Sequence, residues 1–274
     1  MLLPLNILFG SGVGFALGLT GGGGSLLAVP LLVYGLSIAP REAFAVSLAS
    51  VGVMALIGAI SKIKSSQVEF RAGALFAVAG MSGAPIGIAL AGRITETALL
   101  TLFAGFMLSV AILMWRKASK TSYRHTSGQQ SVRGWICQRA EDGSLLVRPQ
   151  CTVVLGFVAL GSGILSGLFG VGGGFIIVPA LVLLTRMPIH RAVGTSLFII
   201  AFVSLSGVFA NFAAGRLIAL DVTALFVGGG VFGLFLGTRL AIKLPASSLQ
   251  KSFRYRHSLG CHICREQDPV FMMP

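Results

Sequence analysis

The sequence predicts an all-α, polytopic membrane protein made of two homologous four-segment repeats, each opening on a glycine-broken helix, with the eighth segment missing. Three observations carry this. Of 274 residues, 55% are apolar and only 11% charged, against roughly a quarter charged in an average soluble domain. Apolar runs of bilayer-spanning length recur along the chain, and glycine clusters recur at matching places in its two halves. With a mean hydropathy of +0.90, the chain has too few polar side chains to cover a water-facing surface of its size. The apolar content also excludes disorder. Four cysteines, Cys137, Cys151, Cys261 and Cys264, give no disulfide framework in a chain this long.

Apolar segments run over residues 5–34, 44–60, 72–92, 97–115, 151–184, 192–214 and 222–242. Most match the roughly 20 residues that a spanning helix needs. The first and fifth are too long: a continuous 30-residue helix would measure about 45 Å against a hydrocarbon core of about 30 Å. Each must therefore be interrupted, and each carries a glycine cluster at its middle. Pro30 and Pro179 mark a further bend in each. An offset of about 150 residues lays Gly18-Leu19-Thr20-Gly21-Gly22-Gly23-Gly24 on Gly167-Leu168-Phe169-Gly170-Val171-Gly172-Gly173, and Val29-Pro30 on Val178-Pro179. It also pairs Ser47-Leu48 with Ser196-Leu197, and Gly80, Gly83 and Gly87 with Gly230, Gly233 and Gly237. The organisation that follows is an N-terminal transmembrane repeat at 1–115, a basic linker at 116–150, an incomplete C-terminal repeat at 151–253 and a divergent polar tail at 254–274. Arg254, Arg256 and Arg265 exclude a span in the tail, since Arg at the bilayer centre costs roughly 2.5–3.5 kcal/mol on insertion scales.

Net charge is +13, from 21 Lys and Arg against 8 Asp and Glu. The basic residues gather in the linker and the tail, which is the pattern of cytoplasmic loops and not of a nucleic-acid-binding face. The linker is therefore expected in the cytoplasm. Two topologies remain open: each broken segment crosses once, or each is a re-entrant hairpin that leaves the two halves inverted. No basic n-region precedes the first apolar run, so no cleavable signal is expected.

Four consecutive glycines, Gly21, Gly22, Gly23 and Gly24, and their partners Gly170, Gly172, Gly173 and Gly174 should break their helices. Inside a bilayer, freed backbone groups are tolerated only where buried in protein or lining a wet cavity. A half-helix starting after each cluster turns unpaired N–H groups and a positive dipole end toward that cavity, which suits an anion. Close helix packing is the alternative use of the clusters, and it is the expected one for Gly83, Gly87, Gly229, Gly233 and Gly237. Polar side chains within the spans are few, and Ser25, Ser47, Thr195, Ser196 and Asn211 are the candidates to line the site; Asn211 faces Lys62 in the repeat alignment. All eight acidic residues lie at segment ends or in loops, so no carboxylate relay is visible. Neither G-x-S-x-G nor H-E-x-x-H occurs, and no enzyme chemistry, cofactor or metal is expected. Gly228 to Gly233 spells G-x-G-x-x-G, but inside an apolar span with no preceding strand it is no dinucleotide fingerprint. Cys261 and Cys264 form one C-x-x-C without a second pair, a weak metal signal.

The duplicated glycine block followed by Val-Pro, with Ala43 to Leu48 and Ala192-Val193-Gly194-Thr195-Ser196-Leu197, resembles the TauE/SafE family of membrane transporters over residues 8–253. The first copy departs from the fuller motif with Ala45-Val46 where the second has Gly194-Thr195. The resemblance implies a bacterial-type inner-membrane, multi-pass protein of about eight spans that moves sulfite, sulfonates or related organosulfur anions, often outward. The partners it implies are a small anionic substrate and the lipid bilayer, with a homo-oligomer left open. A non-transporting membrane subunit, a remnant inactivated by loss of its last span, and a passive anion channel are the alternatives.

Overall fold

The computed structural model describes residues 2–121, 138–139, 145–146, 149–185, 187–215 and 219–243. In chain order the helices are α1 (Leu2–Thr20), α2 (Gly24–Pro30), α3 (Pro40–Lys64), α4 (Phe70–Arg93), α5 (Glu96–Thr121), α6 (Pro149–Phe169), α7 (Gly174–Thr185), α8 (Ile189–Ala213) and α9 (Leu220–Lys243). A π-helical turn over Leu31–Gly35 extends α2 past Pro30, whereas α7 continues through Pro179 as α-helix. Within the linker, Gln138–Arg139 and Leu145–Leu146 pair as a short antiparallel β1–β2 ribbon. The tail and its C-x-x-C pair lie outside the described residues.

Helices α3, α4, α6, α8 and α9 are long and apolar enough to cross a membrane. Their charges explain their ends. Pro40 and Glu42 open α3 and Lys62 and Lys64 close it, while Glu96 and Asp221 sit in the first turns of α5 and α9, each sign matching the helix dipole. Large apolar side chains such as Phe157, Phe209 and Phe232 point outward and stay exposed, as a lipid-facing surface requires.

Both long segments break where the glycines stand: α1 ends at Thr20 and α6 at Phe169, and helix resumes at Gly24 and Gly174. After each break the chain turns back. A Cβ on Gly24 would strike the backbone of Val13 and Leu17, and one on Gly35 the Phe9 ring. In the second half, a Cβ on Gly173 would lie 3.1 Å from the Ser162 carbonyl oxygen. Each broken segment therefore folds back on its own first helix.

The first helix of each half packs against a long helix of the other, α1 on α9 and α6 on α4. Gly10, Gly14 and Gly18 of α1 meet the backbone at Phe226, Gly230 and Leu234 of α9, so this pair runs parallel. Gly163 and Gly167 of α6 meet Gly80 and Ala84 of α4 in the same way. A Cβ on Gly233 would overlap the Ser11 carbonyl, and one on Gly83 the Leu160 carbonyl, so these glycines serve close helix approach. At the centre, α3 and α8 cross antiparallel, with Leu48 at Gly207, Gly52 at Ser204 and Leu197 at Gly58.

Candidate functional site

The two breaks touch. A Cβ on Gly174 would lie 2.6 Å from Gly22 Cα, and one on Gly22 would overlap the Gly174 backbone, so only glycine permits this approach. A cavity of about 630 Å³ opens beside the junction, lined by Thr20, Gly22 and Gly23 from the first break and by Gly174, Phe175 and Ile176 from the second. Apart from the break itself the walls are apolar, which preserves the strength of backbone polar groups at their edge.

The first break is internally tied. Gly21 adopts φ +67°, and its N–H donates to Leu17 O at 2.7 Å. The Ser25 N–H donates to Gly22 O at 3.1 Å, and Leu26 N–H to Gly23 O at 3.2 Å. The Ser25 hydroxyl also donates to Gly22 O. Sequence expectation assigned free N–H groups from Ser25 onward; the tight turn uses the Ser25 and Leu26 donors locally, which corrects that expectation. Gly22 N–H reaches Thr20 Oγ1 at 3.4 Å, leaving Gly23 and Gly24 N–H without partners among the described residues.

The second break is looser. Gly170, Gly172 and Gly173 all have positive φ, at +65°, +70° and +68°, a region in which only glycine is free of strain. Gly170 N–H closes on Ser166 O at 2.8 Å, and helix bonding resumes only with Ile176 and Ile177 N–H on Gly173 O at 3.0 and 3.2 Å. The N–H groups of Gly172, Gly173, Gly174 and Phe175 have no partner among the described residues. Successive N–H groups around left-handed glycines form a concavity suited to an anion.

Of the expected side chains, Ser196 and Thr195 hold the frame. The Ser196 hydroxyl donates to Gly21 O at 2.6 Å and to Val193 O at 2.8 Å. Thr195 Oγ1 accepts the Glu69 N–H at 3.0 Å, at the start of α4. Asn211 Nδ2 donates to Gly207 O of its own helix at 3.1 Å, and with Arg41 and Gly170 it lines a separate water-sized cavity of about 10 Å³. Ser47, equivalent to Ser196, is fully buried with no partner for its hydroxyl.

Sequence reasoning missed Ser166 and counted Ser204 among the polar residues of the spans without making it a site candidate; both are fully buried with hydroxyls unpartnered among the described residues. Ser204 Oγ lies 3.6 Å from the Cβ position of Gly172, and Ser166 Cβ lies 3.5 Å from that of Gly173. It also missed Arg41, whose Nη2 donates to Ile94 O at 2.8 Å and whose Nε stands 3.7 Å from Glu96 Oε1. The aromatic cover was missed too: Phe103 and Phe106 of α5 pack on Phe169 at 5.5 and 5.4 Å, and Phe106 on Phe175 at 5.2 Å. Finally, Cys151 is disulfide-bonded, which four scattered cysteines gave no reason to expect.

The family model described as "Sulfite exporter TauE/SafE" matches residues 6–255. A "Probable membrane transporter protein" of Xylella fastidiosa (strain Temecula1) is 37% identical over 246 residues, covering 89% of this chain and 87% of that protein. "Probable membrane transporter protein YunE" of Bacillus subtilis (strain 168) is 28% identical over 275 residues, covering 97% of both. No solved structure matches the chain. A bundle of apolar helices around two meeting breaks, matched along nearly its whole length, is that of a multi-pass membrane transporter: the chain belongs to the TauE/SafE family.

Proposed function

We propose that the protein is a secondary transporter that exports a small anion, sulfite, a sulfonate or a related organosulfur compound, across the bacterial inner membrane. The observation that carries this is the contact of Gly22 with Gly174 beside a cavity of about 630 Å³, where the N–H groups of Gly23 and Gly24 in the first break and of Gly172, Gly173, Gly174 and Phe175 in the second have no partner among the described residues. Low dielectric strengthens those dipoles, and no buried carboxylate among the described residues opposes a negative charge. Thr195 and Ser196 act by holding the breaks in place. Because α1 packs on α9 and α6 on α4, the two sequence halves cannot rock apart without separating these pairs. Alternating access runs instead between an α1–α9 bundle and an α4–α6 bundle, on either side of the α3–α8 crossing.

Counterflow in proteoliposomes with a panel of sulfite, sulfonates and carboxylates tests the substrate class. Replacing Gly172 or Gly173 with Leu should abolish flux while membrane insertion persists; unchanged flux would count against this site. The linker is placed in the cytoplasm on its charge, and with hairpins in both halves the tail shares that side. Cys261 should then react with an impermeant thiol reagent only after permeabilisation, and labelling of intact cells would reverse the orientation.

A further inference from the structure

Resting on the anion-transport reading, the structure assigns the two breaks different tasks: we propose that the second break alone holds the anion's oxygens, on the hydroxyls of Ser47, Ser166 and Ser204 and the N–H groups of Gly172, Gly173 and Gly174. Ser166 and Ser204 are wholly buried, and neither hydroxyl bonds even to its own helix, although serine in a helix ordinarily satisfies itself on a carbonyl one turn back. Such an orphan costs free energy unless something else completes it. Both side chains abut the left-handed glycines whose N–H groups have no partner among the described residues.

Ser47 is the third buried hydroxyl. It lies one turn along α3 from Phe44, whose Cα is 2.7 Å from the Cβ position of Gly170, and its hydroxyl is also unpartnered. The repeat offset shows what has changed: Ser196 stands in the same place at the first break and spends its proton on Gly21 O, while Leu17 and Ala55 stand where Ser166 and Ser204 do. Three hydroxyls supplied by α3, α6 and α8 suit a compact head with three or more acceptor oxygens better than a two-oxygen carboxylate. Arg41 is the one charged residue lining the small cavity at Gly170.

The test uses the full chain, reconstituted for sulfite counterflow and, in detergent, heated with and without sulfite. Ser166→Ala and Ser204→Ala should each raise KM for sulfite tenfold or more and shrink the sulfite-induced rise in Tm, while Tm without sulfite stays level or increases. Ser204→Cys, which keeps the volume and weakens the donor, should fall between wild type and Ser204→Ala. A lower ligand-free Tm with unchanged KM would make the hydroxyls structural and overturn the proposal. So would unchanged KM and unchanged sulfite response in both alanine variants, with wild-type flux still supporting the transporter. Absence of flux and of any Tm response in the wild type, across sulfite, sulfonates and carboxylates, would overturn both.

Discussion

The two breaks carry matching glycine clusters, yet one is a tied knot and the other an open cradle. At the first, a single left-handed glycine suffices, and Ser25, Leu26 and Ser196 consume the polar groups nearby. At the second, three left-handed glycines and a ring of unpartnered hydroxyls leave donors free in a buried place. Repetition preserves the helix exchange that frames the site, whereas the chemistry inside it has drifted apart. A handful of side chains, with no change of fold, separate a break whose polar groups are tied from one whose hydroxyls and N–H groups have no partner among the described residues.

The largest effect should come from giving the first break a residue of the second. Val171 is the counterpart of Gly22 and is accommodated, but a side chain at Gly22 would run into the backbone of Gly174 and Phe175. Overpacking typically costs 1–3 kcal/mol, and more where backbone must yield, so Gly22→Val should lose about 3 kcal/mol or more. Thermal unfolding in detergent measures it, and flux should vanish with the junction. A variant of normal stability and flux would mean that the breaks need not touch.

The serine pair sharpens the contrast. Ser196→Ala removes the donor to Gly21 and Val193 carbonyls inside the protein and should cost about 1–3 kcal/mol. Ser47→Ala, at the equivalent position, removes only an orphan hydroxyl and should leave ligand-free stability level or slightly improved. Equal losses in the two melting curves would erase the proposed division between knot and cradle.

Backbone conformation provides a third comparison. Gly23 is right-handed at φ −47°, and its Cβ position meets only the exposed Thr20 side chain, Oγ1 at 3.3 Å, so with a small shift of that side chain Gly23→Ala should stabilise by about 0.4–1 kcal/mol through the unfolded chain. Its counterpart Gly172 is left-handed at φ +70°, where an added Cβ costs roughly 1–2 kcal/mol. Opposite signs at matched positions are the expected result of paired unfolding measurements.

Much of this frame was legible beforehand. Hydropathy placed the long helices, the duplicated glycines placed both breaks, and small residues at Gly83, Gly87, Gly233 and Gly237 marked the close helix contacts. Which glycines would turn left-handed was not legible, because glycine is indifferent to the sign of φ and neighbours such as Phe44 and Val193 decide it. Nor could the sequence separate Ser47 from Ser196: both are serines at the same repeat position, and only the position of the facing carbonyl makes one a tie and leaves the other free. Ser166 and Ser204 read as ordinary helix serines until the returning loop was seen to lie against them.

Thr195 offers the smallest and most diagnostic effect. It resembles a substrate ligand in the sequence, since it sits in the better-preserved motif beside Ser196 and has no counterpart hydroxyl at Val46. In the fold its oxygen accepts the Glu69 N–H at 3.0 Å and its methyl packs 3.2 Å from the Cβ position of Gly73, so it joins α8 to the start of α4. Thr195→Val keeps the shape, removes the acceptor of the Glu69 N–H and should cost about 1 kcal/mol, with flux falling only in proportion to folded protein and KM for sulfite unmoved. A raised KM at full folding would bring the substrate to the α8 end of the first break and give that break a direct part in binding.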